Sequence, residues 1–338
     1  MRNHVAMLLV SGLLSFPAMA IGQAPPALSL KMRIPLPNVN GRMDHLSVDQ
    51  KGARLFLSAL GNNTVEVLDL KGGQRIRTIG DLKAPQGVFY DASTNRLFVA
   101  SEDGTTKIFD GTTFQLLQTV KFEDDADNIR YDARSNRAIV GYGGGKEIRG
   151  RPLSPGALAF VDSSGKKSGE IAVDSHPESF QLEKAGTRLF VNIPDKKEIQ
   201  VADVAKGMVL ESWSIASAQN FPMALDEGHK RLFVGCRVPA RMLVLDTTTG
   251  KTVATFEAVG DTDDLFYDVA KSRIYVIGGE GFVDVFQQKD ADHYERTSRA
   301  AIPPGSRTGL FVPDMNTLFV SVPHRGAQGS EVLVYETK

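Results

Sequence analysis

One six-residue phrase returns seven times along this chain of 338 residues: "ARLFLS", "NRLFVA", "NRAIVG", "TRLFVN", "KRLFVG", "SRIYVI" and "NTLFVS". Its second residues are Arg54, Arg96, Arg137, Arg188, Arg231, Arg273 and Thr317, so successive copies stand 42, 41, 51, 43, 42 and 44 residues apart. Self-similarity at such a period requires one supersecondary unit, stacked on its own copies to bury faces that no single copy can bury.

Each unit has the same internal order. An apolar run ending in an acid ("LSVD", "VFYD", "IRYD", "FQLE", "MALD", "LFYD") leads through a polar turn to the recurring phrase. A loop then precedes an alternating run that often ends in Asp ("TVEVLD", "TTKIFD", "ALAFVD", "EIQVAD", "RMLVLD"), and a more polar run closes the unit ("QRIRTI", "KTVATF"). Four short strands rich in Val, Ile, Leu and Phe, bounded by turn residues, describe one propeller blade. No long apolar pattern of helical period competes. The expected fold class is therefore all-β, a seven-bladed β-propeller of four-stranded blades. The seventh unit ends at "SEVLVYETK" without a fourth strand, whereas "ALSLKMRIPL" at 27–36 has strand character before the first complete unit. The N-terminal strand is expected to complete the last blade, making residues 27–338 a single domain with no free sheet edge at the join.

The unit, with "RLFV", "NNTVEVLDL" and "VLDTTTGKTVATF", resembles the YVTN-type repeat of YncE-like seven-bladed propellers over everything that follows the N-terminal segment. The resemblance implies the wheel and leaves its task open, because one such scaffold carries binding proteins, lactonases, lyases and dehydrogenase subunits.

At the N-terminus, Arg2 and His4 precede an apolar run from Val5 to Leu14, and Ala18-Met19-Ala20 offers small residues at the spacing of a cleavage site. Residues 1–20 read as a signal peptide cut near Ala20, with 21–26 as a short linker and a periplasmic or secreted mature protein. No later stretch approaches the 18 or so consecutive apolar residues of a membrane span. The chain carries 39 Lys and Arg against 40 Asp and Glu. That balance gives no overall field towards nucleic acid or an anionic membrane, so electrostatic specificity must be local. With Cys236 as the single cysteine, no intrachain disulfide exists and packing must supply the stability. A monomer is expected.

Chemistry is expected where the first strands begin, because those strands line the channel and start at the mouth that carries the loops between second and third strands. Reading that position around the ring gives Asp44 with His45, Gln86, Asp127 with Asn128, His176 with Glu178, Asn220, Asp263 with Asp264, and Arg307. In four units the carboxylate stands five residues before the acid that closes the strand: Asp44 before Asp49, Asp127 before Asp132, Glu178 before Glu183, Asp263 before Asp268. Carboxylates converging on a narrow opening repel one another, so they hold a cation, take up protons or pair with Arg307 and the histidines. Turn chemistry and a watery channel are the structural alternative. The expected metal ligands are His45, Glu178 and Asp264. Calcium, magnesium or manganese suits the oxygens, and zinc suits a site where histidine dominates. Asp44, Gln86, Asp127, Asn128, Asn220 and Asp263 are expected to bind ligand. If the protein is an enzyme, His45 or His176 is the base and Arg307 stabilises negative charge.

The third unit spans 51 residues against 42 in others, the excess falling in "GYGGGKEIRGRPLSPG", a loop expected to overhang the ring and bring Arg149 and Arg151 to the rim with Arg237. A basic rim above an acidic centre suits a small anionic molecule such as a carboxylate, lactone or phosphorylated sugar; a protein partner on the same face is the other expectation. The glycines are not a phosphate loop, for they lack the Gly-Lys-Ser/Thr ending. With Trp213 as the only tryptophan, a quinone propeller is not expected; nor is haem without Cys-x-x-Cys-His, nor a nicotinamide cofactor. Single-stranded nucleic acid needs a basic groove with exposed aromatics and is not expected. The sequence reading ends on two functions: a binding or scaffold propeller, and a metal-assisted lactonase or lyase.

Overall fold

A computed structural model of the chain describes residues 26–145 and 155–338. The signal segment, nearly all of the linker, and Lys146, Arg149 and Arg151 lie outside the described residues.

Among the described residues the strands form seven four-stranded antiparallel sheets, each running in chain order from the channel outwards except the last. Blade one comprises Leu46–Asp49, Arg54–Ala59, Thr64–Asp69 and Gln74–Ile79. The seventh combines Gly309–Val312, Thr317–Val322 and Glu331–Thr337 with Leu28–Pro35 from the other end of the chain. Leu28 stands opposite Thr337 and Pro35 opposite Glu331. The expected closure is what the structure shows. It is held further by the Ser330 hydroxyl, which donates to the carbonyls of Leu36 at 2.8 Å and Val39 at 2.7 Å.

The core lies between blades rather than inside one. Ile34 and Leu36 of the closing strand pack with Val312, Phe319 and Val332 of the last blade and Leu46, Leu55 and Leu57 of the first. Equivalent clusters join blades two and three through Phe98, Ile108, Ile129 and Val140, and blades five and six through Phe233, Val244, Ile274 and Val276. Alternation along each strand sends successive side chains to opposite faces, so each blade supplies both neighbours.

The recurring arginine now has a physical reason. Arg54 grips Asp49, the acid that ends the first strand, through Nε at 3.0 Å and Nη2 at 2.7 Å, and its Nη1 donates to the Gly111 carbonyl of the next blade at 2.6 Å. Arg188 repeats the arrangement with Glu183 and the Thr247 carbonyl. In blades one and four the arginine and acid therefore tie blades together at the face opposite the channel mouth, whereas Arg96 and Arg231 pair with Asp110 and Asp246 instead. The function of the chain must lie in the residues that break the repeat.

Candidate functional site

At the mouth end, the first strands are irregular. Their pairing with the second strands shifts between Pro85 and Val88, Ala126 and Ile129, Asn220 and Met223, and Thr262 and Asp264. A bulge re-aims side chains that strict alternation would send to opposite faces. In "DTDD" the consequence is direct. Asp261, at φ 55°, turns out to meet Arg307 at 2.9 Å. Asp263 faces the mouth and pairs with Arg237. Asp264 faces the channel, where Oδ2 accepts the Gly309 N–H at 2.9 Å and Oδ1 stands 3.6 Å from His45 Nδ1.

The mouth is a cavity of about 350 Å³ lined by Arg42, Gln86, Asp125, Asp127, His176, Glu178, Phe221, Arg237 and Asp263, among others. Asp127, His176 and Glu178 each turn one ligand atom to a common point, the three atoms lying within 4.8 Å of one another. His176 is held in one orientation: its Nδ1–H donates to the Gly143 carbonyl at 2.6 Å, which leaves Nε2 facing Asp127 Oδ2 at 3.8 Å. An imidazole whose far nitrogen is fixed by a carbonyl, with the near one presented to carboxylates, is arranged as metal-ligating histidines are. The spacing is too long for a direct hydrogen bond and fits two ligands of one ion. Asp127 is 7% exposed and its Oδ1 has no hydrogen-bond partner, so a buried lone pair is offered to whatever enters.

The glycines of "GYGGG" explain the orientation of His176. A Cβ on Gly144, at φ +66°, would lie 2.2 Å from the His176 backbone nitrogen, so only glycine lets the loop approach that closely.

His45 sits beneath this group. Nε2 is 3.8 Å from Asp44 Oδ1 and 3.9 Å from Asp127 Oδ1. Thus one imidazole is shared by three carboxylates from three blades. Arg42 meets Asp44 at 3.2 Å. Arg237 is clamped by Asp263 and by the Thr262 carbonyl at 2.9 Å, with its guanidinium 4.0 Å from the centre of the Phe221 ring.

The electrostatics follow from burial and from each other. Burial pushes the Asp44 carboxyl up to about 7, with Asp127 and Asp263 adding to it and His45 and Arg42 opposing it. Burial and then Asp127 push Glu178 to about 8 against the pull of His176. Asp125 rises to about 6, chiefly by burial. Asp263 is also raised by burial in spite of Arg237. Burial disfavours a charged imidazole, yet Asp264, Asp44 and Asp127 outweigh it and lift His45 to about 10. His176 reaches about 10 in the same way, through Asp127, Glu178 and Asp125. For Asp127 burial again opposes ionisation, but His176, His45 and Arg42 hold the carboxyl below its usual range. The mouth therefore favours protons on Glu178 and both imidazoles beside Asp127, which is held ionised, and a divalent cation can replace those protons.

The sequence reading is refined at several points. It groups His45, Glu178 and Asp264 as ligands; the structure places Glu178 with Asp127 and His176, and sets His45 and Asp264 together one layer deeper. It casts His45 or His176 as a base; the surrounding carboxylates raise both imidazoles, to about 10 each. Gln86 reaches the cavity but donates to Asp125 at 2.7 Å. Asn220 is turned into the wall, donating to Asn192 at 2.9 Å and the Glu198 carbonyl at 3.0 Å. Asn128 is buried with its Oδ1 unpartnered. Arg307 faces Asp261 and stands 4.0 Å from Asp263. Missed from sequence were Arg42 and Asp125, each two residues before the position being compared across blades, and Phe221, whose aromatic face under Arg237 only the fold reveals.

Compared with known proteins, the chain matches no family model and no curated protein sequence. Its backbone does match solved structures. A chain in the crystal structure of the mitotic checkpoint complex superposes with a TM-score of 0.75 over 99% of this chain and 98% of that one, at 13% sequence identity. That likeness shows the fold. The chain is a seven-bladed β-propeller. Among the described residues no helix is long and apolar enough to cross a membrane.

Proposed function

We propose that the protein is an exported binding propeller of the YncE-like, YVTN-repeat kind that holds a divalent cation at its channel mouth and, through that cation, a small anionic molecule. The observation that carries this reading is the convergence of Asp127, His176 and Glu178, with Nε2 of His176 presented by the Gly143 carbonyl and a buried oxygen of Asp127 unpartnered. Mixed oxygen and imidazole donors suit manganese or zinc over a purely oxygen-liganded ion. Arg42 and Arg237 on the cavity wall supply the positive edge that an anion bridging to the metal needs.

The test is elemental analysis of purified protein, followed by thermal melting with and without chelator. A cation bound to the folded state alone raises the melting temperature in proportion to the logarithm of its excess over the dissociation constant. The reading predicts one ion per chain and a chelator-induced drop that Glu178→Gln abolishes. A chain free of metal, with equal melting in both conditions, would contradict it. The second reading, a metal-assisted lactonase or lyase, is favoured by His45: an imidazolium beside the metal-ligating Asp127 can donate a proton to a leaving oxygen. Turnover of a lactone lost in His45→Gln, with metal content retained, separates the enzyme from the binding protein.

A further inference from the structure

Below the His45 and Asp264 layer the channel opens again, into a second cavity of about 270 Å³ walled by the first strands of all seven blades. Its walls mix apolar side chains, Val88, Phe89, Met223, Leu265 and Leu310 among them, with polar ones such as Ser47, Ser179 and Gln181. Two charged groups of opposite sign line it besides His45. Asp264 is already engaged, by the Gly309 N–H and by His45. The other is Arg130.

Among the described residues Arg130 has no acidic partner, and its guanidinium stands 5.7 Å from the centre of the Phe180 ring. Its Nη1 donates to the Ile129 carbonyl at 2.9 Å and its Nη2 to the Ser179 hydroxyl at 3.3 Å. Among the described residues no carboxylate lies within ion-pair distance of it. Most arginines that hold this fold together, Arg54, Arg188 and Arg231 among them, are matched by an acid. Burial lowers its pKa, opposed only at longer range by Asp264 and Asp127. A guanidinium withdrawn from bulk water without an acid beside it is costly, and its planar fork can donate to both oxygens of a carboxylate.

We infer that the central channel is a binding site for a small carboxylic acid, with the carboxylate on Arg130 and the carbon chain against the apolar side chains of its walls on the inner side of the His45 and Asp264 layer. The cavity volume of about 270 Å³ admits an acid the size of propionate with room to spare. This site is distinct from the cation site at the mouth and does not depend on it.

The test uses the full-length protein and propionate as probe, by calorimetric titration at pH 7 and constant ionic strength, with butylammonium as the control for an apolar chain of opposite charge. Propionate is expected to bind at one site per chain and butylammonium not at all. Arg130→Gln is expected to weaken propionate by about 10- to 100-fold, the loss of a charge-assisted hydrogen-bonded pair. Because Arg130 has no acid beside it in the described structure, Arg130→Gln without propionate is expected to melt no lower than the natural protein, a sign of a residue kept for a ligand rather than for stability. Arg130→Lys, which keeps the charge and the fold, recovers binding in part. No heat from propionate, or equal binding by Arg130→Gln, overturns the inference. So does a collapse in the melting temperature of Arg130→Gln with Arg130→Lys fully restoring it, for that pattern makes the residue structural.

Discussion

Asp263 and Asp264 are neighbours in the chain, yet they serve different spaces: one anchors Arg237 at the mouth, the other joins His45 to the wall of the channel. That separation decides how single substitutions should behave. Gly144→Ala places a methyl against the His176 backbone where φ is +66°. Displacing a ligand's orienting carbonyl typically costs about 10- to 100-fold in metal affinity, and that loss is expected in a manganese titration with little change in far-ultraviolet circular dichroism. Titration gives a second expectation. Glu178, Asp44, His45 and His176 all bind protons more tightly in the folded chain, at about 8, 7, 10 and 10. The folded state thus holds more protons than the unfolded one across this range, so stability falls as pH rises. The carboxyl contributions are complete below about 4 and are lost towards 7 and 8; those of the imidazoles are complete below about 6.5 and are lost towards 10. Asp127, held low, acts in the opposite sense and only in acid. Metal-free protein should melt progressively lower between pH 6 and pH 10, with a shallower slope in Glu178→Gln. A flat profile, or one that rises, contradicts the burial of these groups.

Among the elements, the repeated strands were fully legible because each carries its period-2 pattern and its punctuation. The "RLFV" arginine was visible as a marker long before its bond to the strand-ending acid explained it. The mouth was legible only as a set of positions. Which carboxylates share a space depends on bulges at the starts of four first strands, and a one-residue shift in pairing leaves no mark on residue types. Hence Glu178 could be placed at the mouth with His176 from its offset to Glu183, but not beside Asp127. Arg130 escaped notice for a different reason: it lies inside a strand of the ordinary pattern "NIRYD", and only closure of the ring shows that its side chain lacks an acid. The closing strand makes a prediction at this scale. Ile34 is fully buried between the last blade and the first. Ile34→Ala should cost about 2–5 kcal/mol, measured by urea unfolding. A loss below about 1 kcal/mol, the range of surface changes, would mean that the strand is not a structural closure.

At the scale of the whole molecule, seven four-stranded blades form a ring, and residues that depart from the repeat meet along its axis. Every blade contributes a first strand to the channel, so any blade's deviation from the repeat is felt at one shared space. The acids of blades one, three, four and six meet at the mouth, while the lone Arg130 of blade three lies below them. The arrangement puts negative groups that invite a cation above a positive group that invites an anion. The most direct test of this account is the manganese stoichiometry of the purified chain, by calorimetry at pH 8, set beside Glu178→Gln. The account predicts one ion per natural chain and binding weakened at least about tenfold in the variant, as expected when one metal ligand is lost; no binding, or equal binding by both proteins, contradicts it.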